Sequence, residues 1–552
     1  MTLLQGARVP ATILLSLTLA CGGGQKPAPN GPDEPPPATV GEDLVFEYPD
    51  EAMEGALFFP QALGVPGMWK IQPAKKTTLA AQRKVIAKAK ASAVDLQVFA
   101  GLAWQESDKV LDKARAAQDK KDAAGAAKLE AQAKTLRTEA RDALRRANEA
   151  SKGQADEITL KLLAVAEITL GDPDAAAKVY GEIVQRFPGD DGAVNARTWL
   201  AHIHLMAGRT AEAAKAVDGW TVKPELDAMA AYVLAWVKYR ERDYATARAA
   251  IGHAAKVWKI ANRKVVVSDA VLINARAGAP FAEVDGLFAE LAGADGDARF
   301  SLIVNLAKSY DSAGYWEQAI AADEALVAGK ARPLQPVEEV LLRADLAYLQ
   351  FRLAEPGKTA DLAKESHAKL VACGDPCTKD PRTKNIVESI RAYAMTMHTL
   401  YAHSLDERYY APASGLYQYY LAMPGAPDVE VVRGYANRLE ETRKNADPKA
   451  GKHDKEEMLK QFRLKYAAVK ACYESLLQGE PTLAGEVKLG VIIKADGSVE
   501  GVETTPPKGM QGLAAVGGCL DERARTWKFP GRTVAGKTSV NQKFSFKPAT
   551  PK

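Results

Sequence analysis

Residues Leu163 to Pro188 read LAVAEITLGDPDAAAKVYGEIVQRFP, and the fold is decided by how often that pattern returns. Two stretches with helical spacing flank the turn signal Leu170-Gly171-Asp172. Similar signals follow at Ala207-Gly208-Arg209, Glu241-Arg242-Asp243, Ala277-Gly278-Ala279 and Ala313-Gly314-Tyr315. With Gly171, Gly208, Arg242, Gly278 and Gly314 taken as equivalent, the intervals are 37, 34, 36 and 36 residues. A period of this size, made of two helices and two turns, marks a solenoid whose neighbouring units bury each other's apolar faces. Ala, Leu, Lys, Arg and Glu dominate from Ala80 to Arg443 with few runs suited to strands, so the solenoid is read over 80–445, with further units at 337–371 and 386–424. Its first part, 80–150, contains long helices broken near Lys120-Lys121-Asp122, an atypical cap or a helical hairpin.

Inside the period the residues resemble the tetratricopeptide family. Leu163 and Ala164 stand where that family has a large and a small residue, Ala176, Tyr180 and Ile183 follow on the second helix, and Pro188 closes the unit. Later units keep the pattern with Leu200, Ala201 and Ala213, then Leu234, Ala235, Tyr244, Ala247 and Ala254, then Leu306, Ala307, Tyr310, Ala319 and Leu326. Glu167, His204 and Lys238 depart from it, each replacing the usual Tyr, and Glu283 stands where a small residue is expected. The resemblance implies a concave groove, lined by the first helix of each repeat, that holds segments of other proteins. Arg197, His204, Lys238, Arg242 and Asn305 are the groove candidates, and for any one of them taken alone a solvated helix face is the default reading.

Met1 to Ala20 carries one cation, Arg8, and a twelve-residue run from Val9 to Ala20 broken only by Pro10 and small hydroxyl residues. That is too short to cross a hydrocarbon core of about 30 Å as a helix, but it suits a secretory signal. Thr18-Leu19-Ala20-Cys21 resembles the bacterial lipobox, with Thr18 where Leu is usual. The resemblance implies a diacylglyceryl group on Cys21 and, with Gly22 rather than Asp next, sorting to the periplasmic face of the outer membrane. Residues 21–43 are rich in Pro and Gly and read as a tether reaching up to about 60 Å; 44–79 read as irregular.

Five cysteines leave four once Cys21 is set aside, and they fall into local pairs: Cys373 with Cys377 across a short turn, and Cys472 with Cys519. In an exported chain an even remainder favours bridges over zinc, the more so because no Cys-x-x-Cys occurs. After Asn445 the texture changes. A charged helix from His453 to Leu477 leads to a strand at 484–493, a hairpin turn at Ala495-Asp496-Gly497-Ser498, a second strand at 499–505, a helix at 513–525 and a last strand at 540–546. This α+β segment, 446–552, resembles the C-terminal domain of the myxobacterial motility proteins AgmX and PglI, itself similar in outline to TonB C-terminal domains. The matching residues are Cys472-Tyr473, Gly485-x-Val487-x-Leu489, Asp496-Gly497-Ser498-Val499, Cys519-Leu520 and Trp527-x-Phe529-Pro530. It implies a periplasmic interaction module with a bridge between its two helices. Phe529 and Phe546 read as core.

The 552 residues are 47% apolar and 26% charged, and 73 basic against 69 acidic residues leave +4, too diffuse for nucleic acid. Gly531 to Thr538 formally matches G-x-x-x-x-G-K-[ST], but Trp-Lys-Phe-Pro precedes it and a strand follows, so no helix N-terminus meets a phosphate. His202 and His204 lie on different sides of a helix and cannot share a metal. No catalytic, cofactor, metal or nucleotide site is expected. The expectation is a mostly α, lipid-anchored scaffold that binds cell-envelope proteins, of the gliding or secretion kind. The rival is an envelope enzyme or accessory handling peptidoglycan or polysaccharide.

Overall fold

The computed structural model describes residues 43–63, 77–88, 91–151, 155–188, 191–259, 263–505 and 511–548. The signal, Cys21 and all of the tether but Asp43 lie outside the described residues. The chain forms two compact units: one spans Phe58–Ala270, the other takes both ends of the sequence, up to Leu57 and from Val271 onward.

The 58–270 unit is helical. Helices α1 (Leu79–Ile86), α2 (Ala93–Asp119) and α3 (Ala123–Ala150) precede α4 (Glu157–Thr169), α5 (Pro173–Arg186), α6 (Asp191–Met206), α7 (Thr210–Ala216), α8 (Ala228–Arg240) and α9 (Tyr244–Val257), while α10 (Arg263–Arg276) carries its end. Residues 80–150 thus hold a helical hairpin that buries Phe99, Ala103 and Trp104 with Ala140, Leu144, Leu162 and Leu163.

The repeated turns share one geometry. Gly171, Gly208, Arg242, Gly278 and Gly314 all take left-handed backbone, with φ of 87°, 72°, 65°, 64° and 73°. In each, the next residue's N–H reaches back to the helix that has just ended: Asp172 to Glu167 O, Arg209 to His204 O, Asp243 to Lys238 O, Ala279 to Asn274 O and Tyr315 to Tyr310 O. These are Schellman stops, in which orphan carbonyls of the ending helix are satisfied. Asp172 and Asp243 then cap the following helix by accepting from Ala175 and Thr246 amides. Lys121-Asp122 and Ala354-Glu355 stop their helices in the same way. The tetratricopeptide-like repeat is therefore a local backbone device repeated along the chain.

The second unit continues with α11 (Phe281–Ala292), α12 (Gly296–Ser312), α13 (Trp316–Val327), α14 (Pro336–Arg352), α15 (Pro356–Cys373), the short α16 (Asp375–Thr378), α17 (Ile386–Ser404), α18 (Glu407–Leu421) and α19 (Val429–Lys444). Then come α20 (Lys455–Arg463), α21 (Tyr466–Leu477), β3 (Gly485–Ile493), β4 (Val499–Thr505), α22 (Gln511–Ala524) and β5 (Thr538–Pro548). The helix expected over 453–477 breaks at Leu464-Lys465.

The reading of 44–79 as irregular is corrected here. Leu44–Glu47 is strand β1 and Glu51–Gly55 is strand β2; both pair parallel with β5, β1 along Thr538–Asn541 and β2 along Phe544–Pro548. The sheet order is β1-β5-β3-β4, with β2 also on β5. Pro49-Asp50 splits the segment into runs too short to show alternation, and their partner lies at the other end of the sequence. A module confined to 446–552 is corrected with it, because its sheet needs these two strands. Its core is also continuous with the preceding repeats: Phe300, Leu306, Tyr310 and Trp316 belong to one cluster with Phe462, Tyr473, Val487, Leu520, Trp527, Phe529, Phe544 and Phe546.

Both disulfides are formed, Cys373 to Cys377 and Cys472 to Cys519, each with Cα atoms 5.7 Å apart. The second ties α21 to α22.

Candidate functional site

Helix α8, AMAAYVLAWVKYR, has no continuous polar face, and a helix apolar all round must be covered all round. It packs against α9 and α6, and every residue from Ala230 to Arg240 except Lys238 is buried. The covering on one side is not a helix. Residues 58–63 (FFPQAL) run along it as irregular chain that bends at Ala62, with Pro60, Ala62 and Leu63 buried.

The contacts are made mainly to the segment's main chain. Tyr232 Oη accepts from the Gln61 N–H at 2.8 Å and the Ala62 N–H at 3.0 Å, and donates to Asp269 Oδ2 of α10. Two turns further along the same stripe, Arg240 donates through Nη2 to Phe58 O at 3.1 Å and through Nη1 to Leu205 O at 2.7 Å. Its guanidinium lies 5.1 Å from the Phe59 ring centre. Trp236 stands between them on the stripe, and Trp258 meets Tyr232 edge-on at 5.5 Å.

This polar stripe is electrically costly. Burial pushes the Asp269 carboxyl up to about 6, against hydrogen bonds from Tyr232 and the Gln61 amide that favour the charged form. Burial pushes the Tyr232 phenol up as well. It brings the Arg240 guanidinium down to about 10. Arg240 is answered by carbonyl oxygens, including one at the C-terminal end of α6, where the helix dipole is negative.

The sequence-derived groove candidates are placed differently. Arg197 on α6 donates through Nε to Ala216 O at 2.6 Å and through Nη2 to Asp218 O, closing the end of α7, and stacks over Trp220. His204 is half-buried, with its Nδ1 lacking a partner and its pKa lowered by burial and then by Arg209. Lys238 pairs with Glu241 at 2.8 Å. Arg242 is the left-handed turn residue. Asn305, on α12 in the other unit, is exposed and its carbonyl accepts from Ser309 Oγ. None of the five hydrogen-bonds to residues 58–63. Tyr232, Trp236, Arg240 and Asp269 were missed, although a helix with no polar side that nonetheless ends in arginine was the available signal.

Gly531 to Thr538 is a loop whose amides are already engaged: Gly531 with Asp406 Oδ2, Arg532 with Ala495 O, Thr533 with Ser404 O and Val534 with Gly451 O. Thr538 Oγ1 lies 2.8 Å from His453 Nδ1, and His453 Nε2 lies 2.7 Å from Pro530 O. Between α17, α18 and α19 an open cavity of about 530 Å³ is lined by His398, His403, Tyr417, Tyr435, Arg438 and Glu441, among others. Burial raises the carboxyls of Asp323 on α13 and Asp345 on α14, and repulsion from Asp345 raises Asp323 further. Among the described residues no group of three His, Cys, Asp or Glu side chains could hold a metal, and no helix is long and apolar enough to cross a membrane.

No family model matches the chain, and no curated protein matches it. Among solved structures it is similar to a tetratricopeptide repeat protein from Parabacteroides merdae, at 13% identity over 52% of this chain and 99% of that one, with a TM-score of 0.26. The helical repeats themselves stand on the turns and helix pairs described above.

Proposed function

We propose that the protein is a non-enzymatic scaffold that grips non-helical segments of partner proteins on helix faces of its repeats and presents its sheet module to a second partner. The observation that carries this reading is the α8 face, where Tyr232 and Arg240 hold an irregular, bent chain through its amides and a carbonyl. Main-chain recognition of that kind tolerates varied sequences, which suits assembly rather than turnover. We place it at the periplasmic side of the outer membrane, anchored through lipid on Cys21, in an envelope complex of the gliding or secretion kind. The lipobox-like Thr18 to Cys21 and the resemblance of the C-terminal segment to AgmX and PglI support that location. Two disulfides suit an oxidising compartment. Capture from crosslinked envelopes, with a Tyr232→Phe/Arg240→Ala variant as control, should return a reproducible partner set that the variant loses in part. An empty or unchanged set rejects the scaffold. The mass of the mature N-terminal peptide tests the anchor separately.

A further inference from the structure

Phe58–Leu63 is held on α8 mainly through its main chain. It belongs to no helix or strand, Phe58 and Phe59 are only half-buried, and Gln61 is exposed. Beneath it, Arg240 is 1% exposed with carbonyls for partners, and its Nε, also buried, has none. Asp269, 6% exposed, spends its charge on the Tyr232 hydroxyl. A buried guanidinium and carboxylate that do not pair with each other stabilise a fold poorly. They suit a bent main chain that turns a carbonyl to one and two successive amides to the hydroxyl held by the other. A carbonyl meets Arg240, the next residue's ring lies over the guanidinium, and a proline follows that has no N–H to leave unsatisfied. Two consecutive amides then converge on Tyr232.

We propose that Phe58–Leu63 is a ligand in cis: it fills the α8 face in place of a partner's non-helical segment, one carrying two adjacent aromatic residues followed by proline, which must displace it to bind. This deepens the scaffold reading and rests on it. The covalently joined segment has the advantage of local concentration, so the face is closed by default and opens to a competitor.

The test uses the full-length chain and a labelled synthetic peptide with the sequence of residues 55–64, followed by fluorescence anisotropy. A Phe58→Ala/Phe59→Ala chain should bind the peptide at least about tenfold more tightly than the wild type, because less of the face is already occupied. Adding Tyr232→Phe should reverse most of that gain. Equal affinity for wild type and variant, or no binding to a variant whose circular dichroism is unchanged, overturns the proposal. Hydrogen exchange decides the matter should that variant fail to fold: saturating peptide must accelerate exchange of the Gln61 and Ala62 amides in the wild type, and unaltered exchange overturns it. Envelope partners captured equally by wild type and Phe58→Ala/Phe59→Ala would leave the scaffold standing and reduce the segment to a structural strap.

Discussion

The two units cover their helical repeats in opposite ways. In the 58–270 unit a helix face is covered by six residues of irregular chain, through main-chain hydrogen bonds and half-buried rings. In the other unit the turns between helices are covered by a folded module. Gly314 lies so close to α21 that a Cβ placed on it would sit 2.6 Å from Ala468 Cα. Arg523 Nη1 donates to Ala313 O at 2.6 Å while its guanidinium stacks on Tyr315 at 3.8 Å. Lys465 donates to Arg352 O and lies 5.1 Å from the Trp316 ring centre. Close apolar packing makes a lasting joint; a few directional bonds to a passing main chain make a replaceable one.

Substitution at equivalent turn glycines should break this comparison most strongly. Gly314→Ala combines left-handed strain with a clash against α21, at about 2–5 kcal/mol. Gly171→Ala meets nothing within 4 Å of the added methyl and should cost only about 1 kcal/mol. Equal losses in calorimetric melts would mean the module does not bear on the turn. Next, Cys519→Ser should remove about 2–4 kcal/mol, with hydrogen exchange quickened in β3 to β5 and unchanged in α8. Exchange quickened equally in both places would erase the distinction between the units.

A pH series sharpens the contrast further. The Asp269 carboxyl is raised in the folded state, so it contributes stability that is present at low pH and lost as pH rises through about 6. His202, which burial holds down at about 4, works the other way. The readable quantity is therefore a difference: between pH 7 and 5 the wild type should gain about 1 kcal/mol relative to Asp269→Asn. Parallel profiles would place Asp269 in water. The smallest effect is expected at Arg242, whose φ of 65° suits glycine; Arg242→Gly should leave stability unchanged or raise it by up to about 1 kcal/mol, as read from thermal melts.

What could be read from the sequence follows the range of the interactions. The turns at Gly171 to Gly314 were legible because a Schellman stop is written in half a dozen adjacent residues. The Asp496-Gly497 hairpin was legible for the same reason: Asp496 Oδ1 accepts from the Ser498 amide at 2.9 Å, and Gly497 has φ of 85°. Phe529 and Phe546 were expected in the core and are buried there. Strands β1 and β2 escaped because each owes its existence to β5. The α8 site escaped because its ligand, Phe58–Leu63, has no periodicity, and because charged residues were sought on exposed positions while Arg240 lies inside. The helix over 453–477 looked continuous, yet Lys465 turns inward at the break. There burial, and then Arg352, bring its ammonium down to about 7.

The pairing of β5 with the strands before residue 56 has a consequence for how the molecule is made. The Lys537 amide donates to Asp43 across 494 residues. A ribosome delivers Leu44–Gly55 before, and Thr538–Pro548 after, the helices described above, so the two strands wait, unmatched, while those helices emerge. Closing that sheet must wait until Thr538–Pro548 is made, a contact of very high sequence separation, with residues 58–270 lying between the paired strands in chain order. A chaperone would meet an intermediate with finished helices and two idle strands, so premature release invites edge pairing between nascent copies.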